Sequence, residues 1–370
     1  MKFSVVFGCF MLACSLLSAQ DLYYQRGVYN YSLGNYENAI EDLTQSLEIT
    51  PKALDTYYYR GYSYLYLGYH KQALKDLMKV VKNGPENEEV YSAVGHTYSE
   101  MGDYEKALKW LGRAIELNPK FAEAYNNRGV CYHRMDDFRL AIQDFDKAVQ
   151  IDTAYALAYN NRGSARYYNQ NVAAPNKNDV ELAIQDFVLA LQYNPKMTLA
   201  MRNRGVANRI IGNYEEALKN LDKAIEMDAT LAENYLERAR TNAQAGKNEK
   251  AIEDFMTVVK LNPANADAFI EMGNAKSKLG YYNEAIEDQI RAVQVNPDYT
   301  TLAYYNSACN YALMRNKNAM LDYLEKCRKK KYFKERESYK RFLQDTDFEN
   351  FRTDEDFLKF QQRVAKGVKN

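Results

Sequence analysis

The segment "AYNNRGVCYHRM" at 124–135 returns 34 residues later as "AYNNRGSARYYN" at 158–169. The hexapeptide AYNNRG is identical in the two, so the spacing marks a repeated structural unit. Working outward, Gly27, Gly61, Gly95, Gly129 and Gly163 keep the same 34-residue interval, and after a slip of eight residues it resumes with Gly205, Ala239 and Gly273. A second series, Ala39, Ala73, Ala107 and Ala141, then Ala183, Ala217, Ala251, Ala285 and Ala319, runs in parallel. Six of the seven prolines (Pro51, Pro85, Pro119, Pro195, Pro263 and Pro297) occupy one further phase.

Each period reads as two helices. "EVYSAVGHTYSEMG" (89–102) carries Val90, Tyr91, Val94, Gly95 and Tyr98 at helical spacing and stops at Gly102. "DYEKALKWLGRAIELNP" (103–119) opens on Asp103, a natural N-cap, sets Tyr104, Ala107, Leu108, Leu111, Ala114 and Ile115 on one face, and ends at Pro119. The small residues of the two series allow the two helices of a period to cross closely. No strand alternation is present.

This small–aromatic–Gly–aromatic–Ala–Pro pattern resembles the tetratricopeptide repeat family across 20–331. The resemblance implies an all-α fold, a right-handed superhelical solenoid of about nine helical hairpins whose first helices line a concave groove. The repeats start near 20, 54, 88, 122, 156, 198, 232, 266 and 300. Residues 332–370, beginning "YFKERESYKRFLQ", are expected to cap the array, since a last repeat needs a polar outer face. The eight extra residues near "NQNVAAPNKND" (169–179) hold the off-phase Pro175 and fall at the turn inside repeat five, as a surface insertion.

Arg26, Arg60, Arg128, Arg162, Arg204 and Arg238 stand just before the glycine phase; Asp42, Asp76, Asp144, Asp186 and Asp254, with Asn220 in repeat six, stand three after the alanine phase. A charged pair bridging the two helices of each repeat fits both series. In repeat three Val94 and Trp110 replace both members together. Met272/Asp288 and Asn306/Asp322 keep an acidic residue without the arginine, so a less buried pair is expected toward the C-terminal end.

In the family resembled, positions three before the glycine and one, four and five after it lie along the concave wall. They are Tyr24, Tyr31, Tyr58, Tyr62 and Tyr66 in repeats one and two, and Asn126, His133, Arg134, Asn160, Tyr167, Tyr168, Arg202, Arg209 and Arg240 in repeats four to seven. Tyrosines offer apolar area at low entropic cost, amides can bond a peptide backbone, and arginines can grip carboxylates. The expected ligand is therefore a protein or peptide. The lysine of a terminal-carboxylate clamp is missing.

The 49 basic and 49 acidic residues balance, so no net field draws the chain to nucleic acid. The three histidines, His70, His96 and His133, lack metal-ligand spacing, and no catalytic motif or phosphate-binding loop is present, so no metal, no cofactor and no enzymatic activity are expected. The leading function is a non-enzymatic binding scaffold. The alternative is a cell-envelope structural or assembly component acting through its convex face or by self-association; the sequence assigns no oligomeric state.

"MKFSVVFGCFMLACSLLSAQD" has a basic head, an apolar run from Phe3 to Leu17 and small residues before Gln20, the pattern of an export leader over 1–19 and too short to span a bilayer. Export to a periplasmic or extracellular site follows. "MLAC" (11–14) also resembles a lipobox that would lipidate Cys14, although Leu12 and Leu16-Leu17 fit it poorly. Cleavage would leave Cys131, Cys309 and Cys327, an odd number suited to burial rather than pairing.

Overall fold

Every period folds as a helical hairpin because its two small-residue series meet. In the computed structural model, a Cβ built on Gly95 would lie 2.6 Å from Leu111 Cγ and 3.1 Å from the Ala107 carbonyl oxygen. The same collision recurs between Gly129 and Phe145 and between Gly205 and Leu221, each at 2.7 Å. Ala107 is thus only half of the explanation. The glycine makes room mainly for the large residue one turn beyond the alanine, which is fully buried.

The structure describes residues 19–168 and 176–367, which form two compact units dividing after Asn194. In the first, α1 (Ala19–Ser32) pairs with α2 (Tyr36–Ile49), α3 (Leu54–Tyr66) with α4 (His70–Asn83), α5 (Glu88–Glu100) with α6 (Tyr104–Leu117), α7 (Ala122–Arg134) with α8 (Phe138–Ile151), and α9 (Ala156–Tyr168) with α10 (Lys177–Tyr193). In the second, α11 (Thr198–Ile210) pairs with α12 (Tyr214–Met227), α13 (Ala232–Gln244) with α14 (Asn248–Leu261), α15 (Ala266–Lys278) with α16 (Tyr282–Val295), and α17 (Thr300–Leu313) with α18 (Lys317–Lys329). Two further helices, α19 (Arg336–Gln344) and α20 (Glu355–Ala365), close the second unit. No strand occurs among the described residues.

Local chemistry sets the helix ends. Asp103 accepts a hydrogen bond from the Lys106 backbone N–H, as its N-cap role requires. The turn after α5 needs a left-handed residue, and Gly102 supplies it at φ 78°. The corresponding turn after α7 uses Asp136 at φ 59°, a conformation that aspartate tolerates better than most residues. In repeat five α10 runs 17 residues against 14 for α8, so part of the insertion extends the helix, while 169–175 lie outside the described residues.

Within each unit the first helices of neighbouring hairpins touch one another. The last hairpin is covered by an aromatic cap in which Phe333, Phe342, Phe348, Phe357 and Phe360 bury against Tyr305, Met320 and Leu324. Cys131, Cys309 and Cys327 are buried and unpaired. The leader assigned to 1–19, with Cys9 and Cys14, falls outside the described residues except at its end.

Gly129→Ala should lower the thermal midpoint by the equivalent of about 1–3 kcal/mol, because Phe145 would have to give way. Gly112→Ala, in the middle of α6 with nothing within 4 Å of the added carbon, should raise it by about 0.5–1 kcal/mol.

Candidate functional site

The first helices carry two polar stripes, one turned toward the second helices and one toward the first helices of neighbouring repeats. The inward stripe carries the arginines. Arg128 donates to both carboxylate oxygens of Asp144 at 2.7 and 2.8 Å, and Arg60 and Arg238 clasp Asp76 and Asp254 in the same way. Arg26 holds Asp42, and Arg162 holds Asp186 at 2.6 Å with Arg166 adding a second cation. The acid side chains are only 2–8% exposed. Each arginine also lies 5.2–5.7 Å over the ring of the tyrosine three residues before it.

Three of the arginines reach in a second direction, to the residue sixteen positions earlier on the preceding second helix. Arg60 donates to Thr44 Oγ1 at 3.0 Å, Arg162 to Asp146 at 2.7 Å and Arg238 to Asp222 at 2.7 Å. The bridge therefore links neighbouring repeats as well as the two helices of one.

The departures in repeats three, six and eight are compensated rather than relaxed. In repeat three Val94 is fully buried and Trp110 packs on Tyr91, with Arg113 over the indole. In repeat six Asn220 replaces the acidic residue, and Arg204 pairs with Glu216 one turn earlier at 3.0 Å. Repeat eight corrects the expectation of weaker burial: Asp288 is 1% exposed, because Lys276, one turn beyond Met272, neutralises it at 2.6 Å. Only in repeat nine is the acid largely exposed, with Asp322 paired to Lys326.

On the open face of the first unit the tyrosines of repeats one and two form one aromatic cluster. Tyr31 contacts Tyr59, Tyr66 and Tyr36, and Tyr36 stacks on Tyr66 at 4.6 Å with an interplanar angle of 10°. Tyr24 meets Tyr59 edge-on, and Tyr58 meets Tyr59 and Tyr62. Tyr58 donates from its hydroxyl to Glu89 Oε2 at 2.7 Å, and Tyr62 to the Glu89 carbonyl at 2.9 Å. Burial pushes the phenols of Tyr31, Tyr58 and Tyr62 up, so they remain neutral donors. A second aromatic group joins His133 to Phe138 and Tyr168, with Tyr167 against Tyr168.

Several expected ligand groups are instead used internally. Asn126 and Asn160 are 2% and 1% exposed and cannot reach a peptide. Asn161 donates to Asn126 Oδ1 at 3.0 Å and Asn127 to Ser92 Oγ at 3.1 Å, so the Asn-Asn pair ties each first helix to the preceding one. Arg209 and Arg240 are not an unopposed cationic row. Glu237 pairs with both at 2.9 Å, and Glu271 binds Arg240 at 2.7 Å. Arg134 pairs with Glu100 at 2.7 Å but stays exposed. Arg202 is half-buried and makes no ion pair among the described residues.

The comparisons with known proteins agree with this architecture. Family models described as tetratricopeptide repeat match residues 20–53, 54–87, 122–153, 173–232, 232–265 and 266–299, and one described as TPR repeat matches 95–136. The chain belongs to the tetratricopeptide repeat family. Among solved structures it is similar to the APC/C hetero-tetramer Cut9-Hcn1, with TM-score 0.57 and 16% identity over 75% of this chain. This chain spans 53% of that one. It is also similar to PilW, described as a type IV pilus biogenesis factor (TM-score 0.52, 21% identity, 58% of this chain and 96% of that). A tetratricopeptide repeat protein of Parabacteroides merdae gives 0.51 and 20%, over 66% and 93%. At these identities the likeness concerns the fold alone. A search of curated protein sequences found no match.

Tetratricopeptide repeat proteins are protein–protein interaction scaffolds, generally without catalytic groups of their own. No helix among the described residues of this family member is long and apolar enough to cross a membrane. Tyr36, Tyr59 and Glu89, which complete the first-unit cluster, were not among the expected residues. The missing signal is the offset of 31 residues from Tyr58 to Glu89, which brings a first-helix tyrosine to the first turn of the next repeat.

Arg128→Met should destabilise by about 3 kcal/mol, since it leaves the carboxylate of Asp144 buried and unpaired; adding Asp144→Leu should recover most of the loss, as read by thermal and urea unfolding. Desolvation, with Arg134 nearby, lowers the His133 pKa below its usual 6.5 against the opposing pull of Asp136. The unfolded chain then takes up the proton first, so stability is lost as pH falls below 6.5. His133→Gln should flatten that part of the stability–pH curve.

Proposed function

We propose that this chain is a non-enzymatic scaffold that holds a protein or peptide partner on the first-helix face of its repeats. The observation that carries the reading is the tyrosine cluster of repeats one and two. Its rings brace one another in edge-on and stacked contacts, yet Tyr66 remains 59% exposed. A pre-organised aromatic surface left facing water gains most when a partner covers it, because little side-chain entropy remains to be lost. The partner is taken to meet this surface in an exported compartment, after removal of the leader at 1–19.

The alternative sites lie on the second helices, where Met256 and Ile290 are exposed. Affinity capture with the tagged chain distinguishes the two faces. Tyr31→Ala with Tyr66→Ala should weaken capture of a partner about tenfold or more. Met256→Ser with Ile290→Ser should leave it unchanged. The reverse pattern, with both variants showing native helicity, would move the function to the outer surface. Mass measurement of the mature N-terminus checks cleavage after Ala19.

A further inference from the structure

Arg202 apart, the arginines expected on the first-helix face are paired. Arg134 has Glu100, and Arg209 and Arg240 have Glu237 and Glu271. The acidic groups of the first unit are different. Asp55, Glu89 and Glu123 recur at 34-residue spacing, each at the first turn of a first helix (α3, α5 and α7). Among the described residues none of the three has a lysine or arginine within ion-pairing distance. First-turn acids complement the helix dipole, which accounts for their position but not for the aromatic groups built around them.

Those aromatic groups are specific. Glu89 receives the Tyr58 hydroxyl on its carboxylate at 2.7 Å and the Tyr62 hydroxyl on its own backbone carbonyl at 2.9 Å, with the two rings 4.7 Å apart. Asn127 reaches Glu123 Oε1 at 3.5 Å while its main bond goes to Ser92. Tyr24 lies near Asp55, and Tyr62 and Tyr155 lie near Glu123, close enough for each acid's charge to help hold the phenol up. Glu123 is exposed at its surface, and desolvation first and the Glu89 charge second raise its carboxyl above its ordinary value.

We propose that the Asp55, Glu89 and Glu123 row, with Tyr58, Tyr62 and Tyr155, is a docking surface for a lysine- or arginine-bearing segment of the protein partner. The proposal rests on the scaffold reading above. Charge complementarity selects the occupant. A cationic side chain would relieve the repulsion between Glu89 and Glu123, pair with carboxylates that have no cation, and lie against phenol rings that attract cations on their faces. The adjoining tyrosine cluster of repeats one and two extends the same face beyond the carboxylates, which suits a peptide more than a small free cation.

The test uses the purified full chain and a fluorescent peptide of alternating lysine and serine, with alternating glutamate and serine as its counterpart and spermidine as a free polycation. The lysine peptide should bind, and its affinity should fall several-fold as salt is raised through the physiological range. Glu89→Gln with Glu123→Gln should weaken it about tenfold or more, whereas Glu105→Gln with Glu116→Gln, on the second helix of repeat three, should not. Equal binding of the glutamate peptide, or no loss in the Glu89/Glu123 variant, overturns the proposal, and spermidine binding as tightly as the peptide overturns the assignment to a protein segment. Partner capture that survives Glu89→Gln with Glu123→Gln but fails with the tyrosine variant would defeat this inference alone and leave the scaffold reading standing.

Discussion

A carboxylate buried on six of the nine second helices is the constraint around which the structure is arranged. Taking such a charge out of water is expensive, and at Asp186 and Asp288 the desolvation outweighs the cations beside them, holding both carboxyls above their ordinary range. An acid in that position is sustainable only if a cation arrives with fixed geometry. The arginine before the glycine provides it, braced by the tyrosine below and, in three repeats, by a second partner on the preceding hairpin. The bridge thus sets the register of helix against helix and of repeat against repeat.

The exceptions show the same constraint from the other side. Where the acid is lost the arginine finds Glu216, where the arginine is lost Lys276 replaces it, and where both are lost Val94 and Trp110 fill the space with apolar atoms. Each solution avoids leaving one buried charge alone. Because the inward stripe is consumed in this way, the proposed partner-binding role falls to the other stripe of the first helices. Three of its arginines, Arg134, Arg209 and Arg240, are already neutralised by neighbouring glutamates, whereas among the described residues Asp55, Glu89 and Glu123 of the first unit have no ion-pairing cation.

Much of the fold was legible in the sequence. Glycine, alanine and proline at a fixed interval specify a hairpin through steric exclusion and backbone limits, which act locally and recur in phase. The arginine–aspartate pairing was legible for a similar reason, since an offset of sixteen residues between two rigid helices, lengthened to 24 by the insertion in repeat five, carries the same contact from one repeat to the next. The tyrosines of repeats one and two were also found on one face, although Tyr36 and Tyr59, from other phases, complete the cluster.

The occupancy of the candidate site was not legible. Asn126 and Asn160 have the right phase for ligand contact, yet the amide beside each satisfies a neighbouring helix, and burial follows from how closely those helices approach. Arg209 and Arg240 look like an unopposed row until Glu237 and Glu271 are brought beside them from other turns. The sequence by itself determined the repeating unit, its small-residue crossing and its buried charge pair, because those depend on residues held at fixed distances along rigid helices. Only the tertiary structure decided which polar side chains remain available, because that depends on the lateral spacing of first helices from successive repeats, where a single neighbour can satisfy or bury a group that its position in the period would otherwise expose.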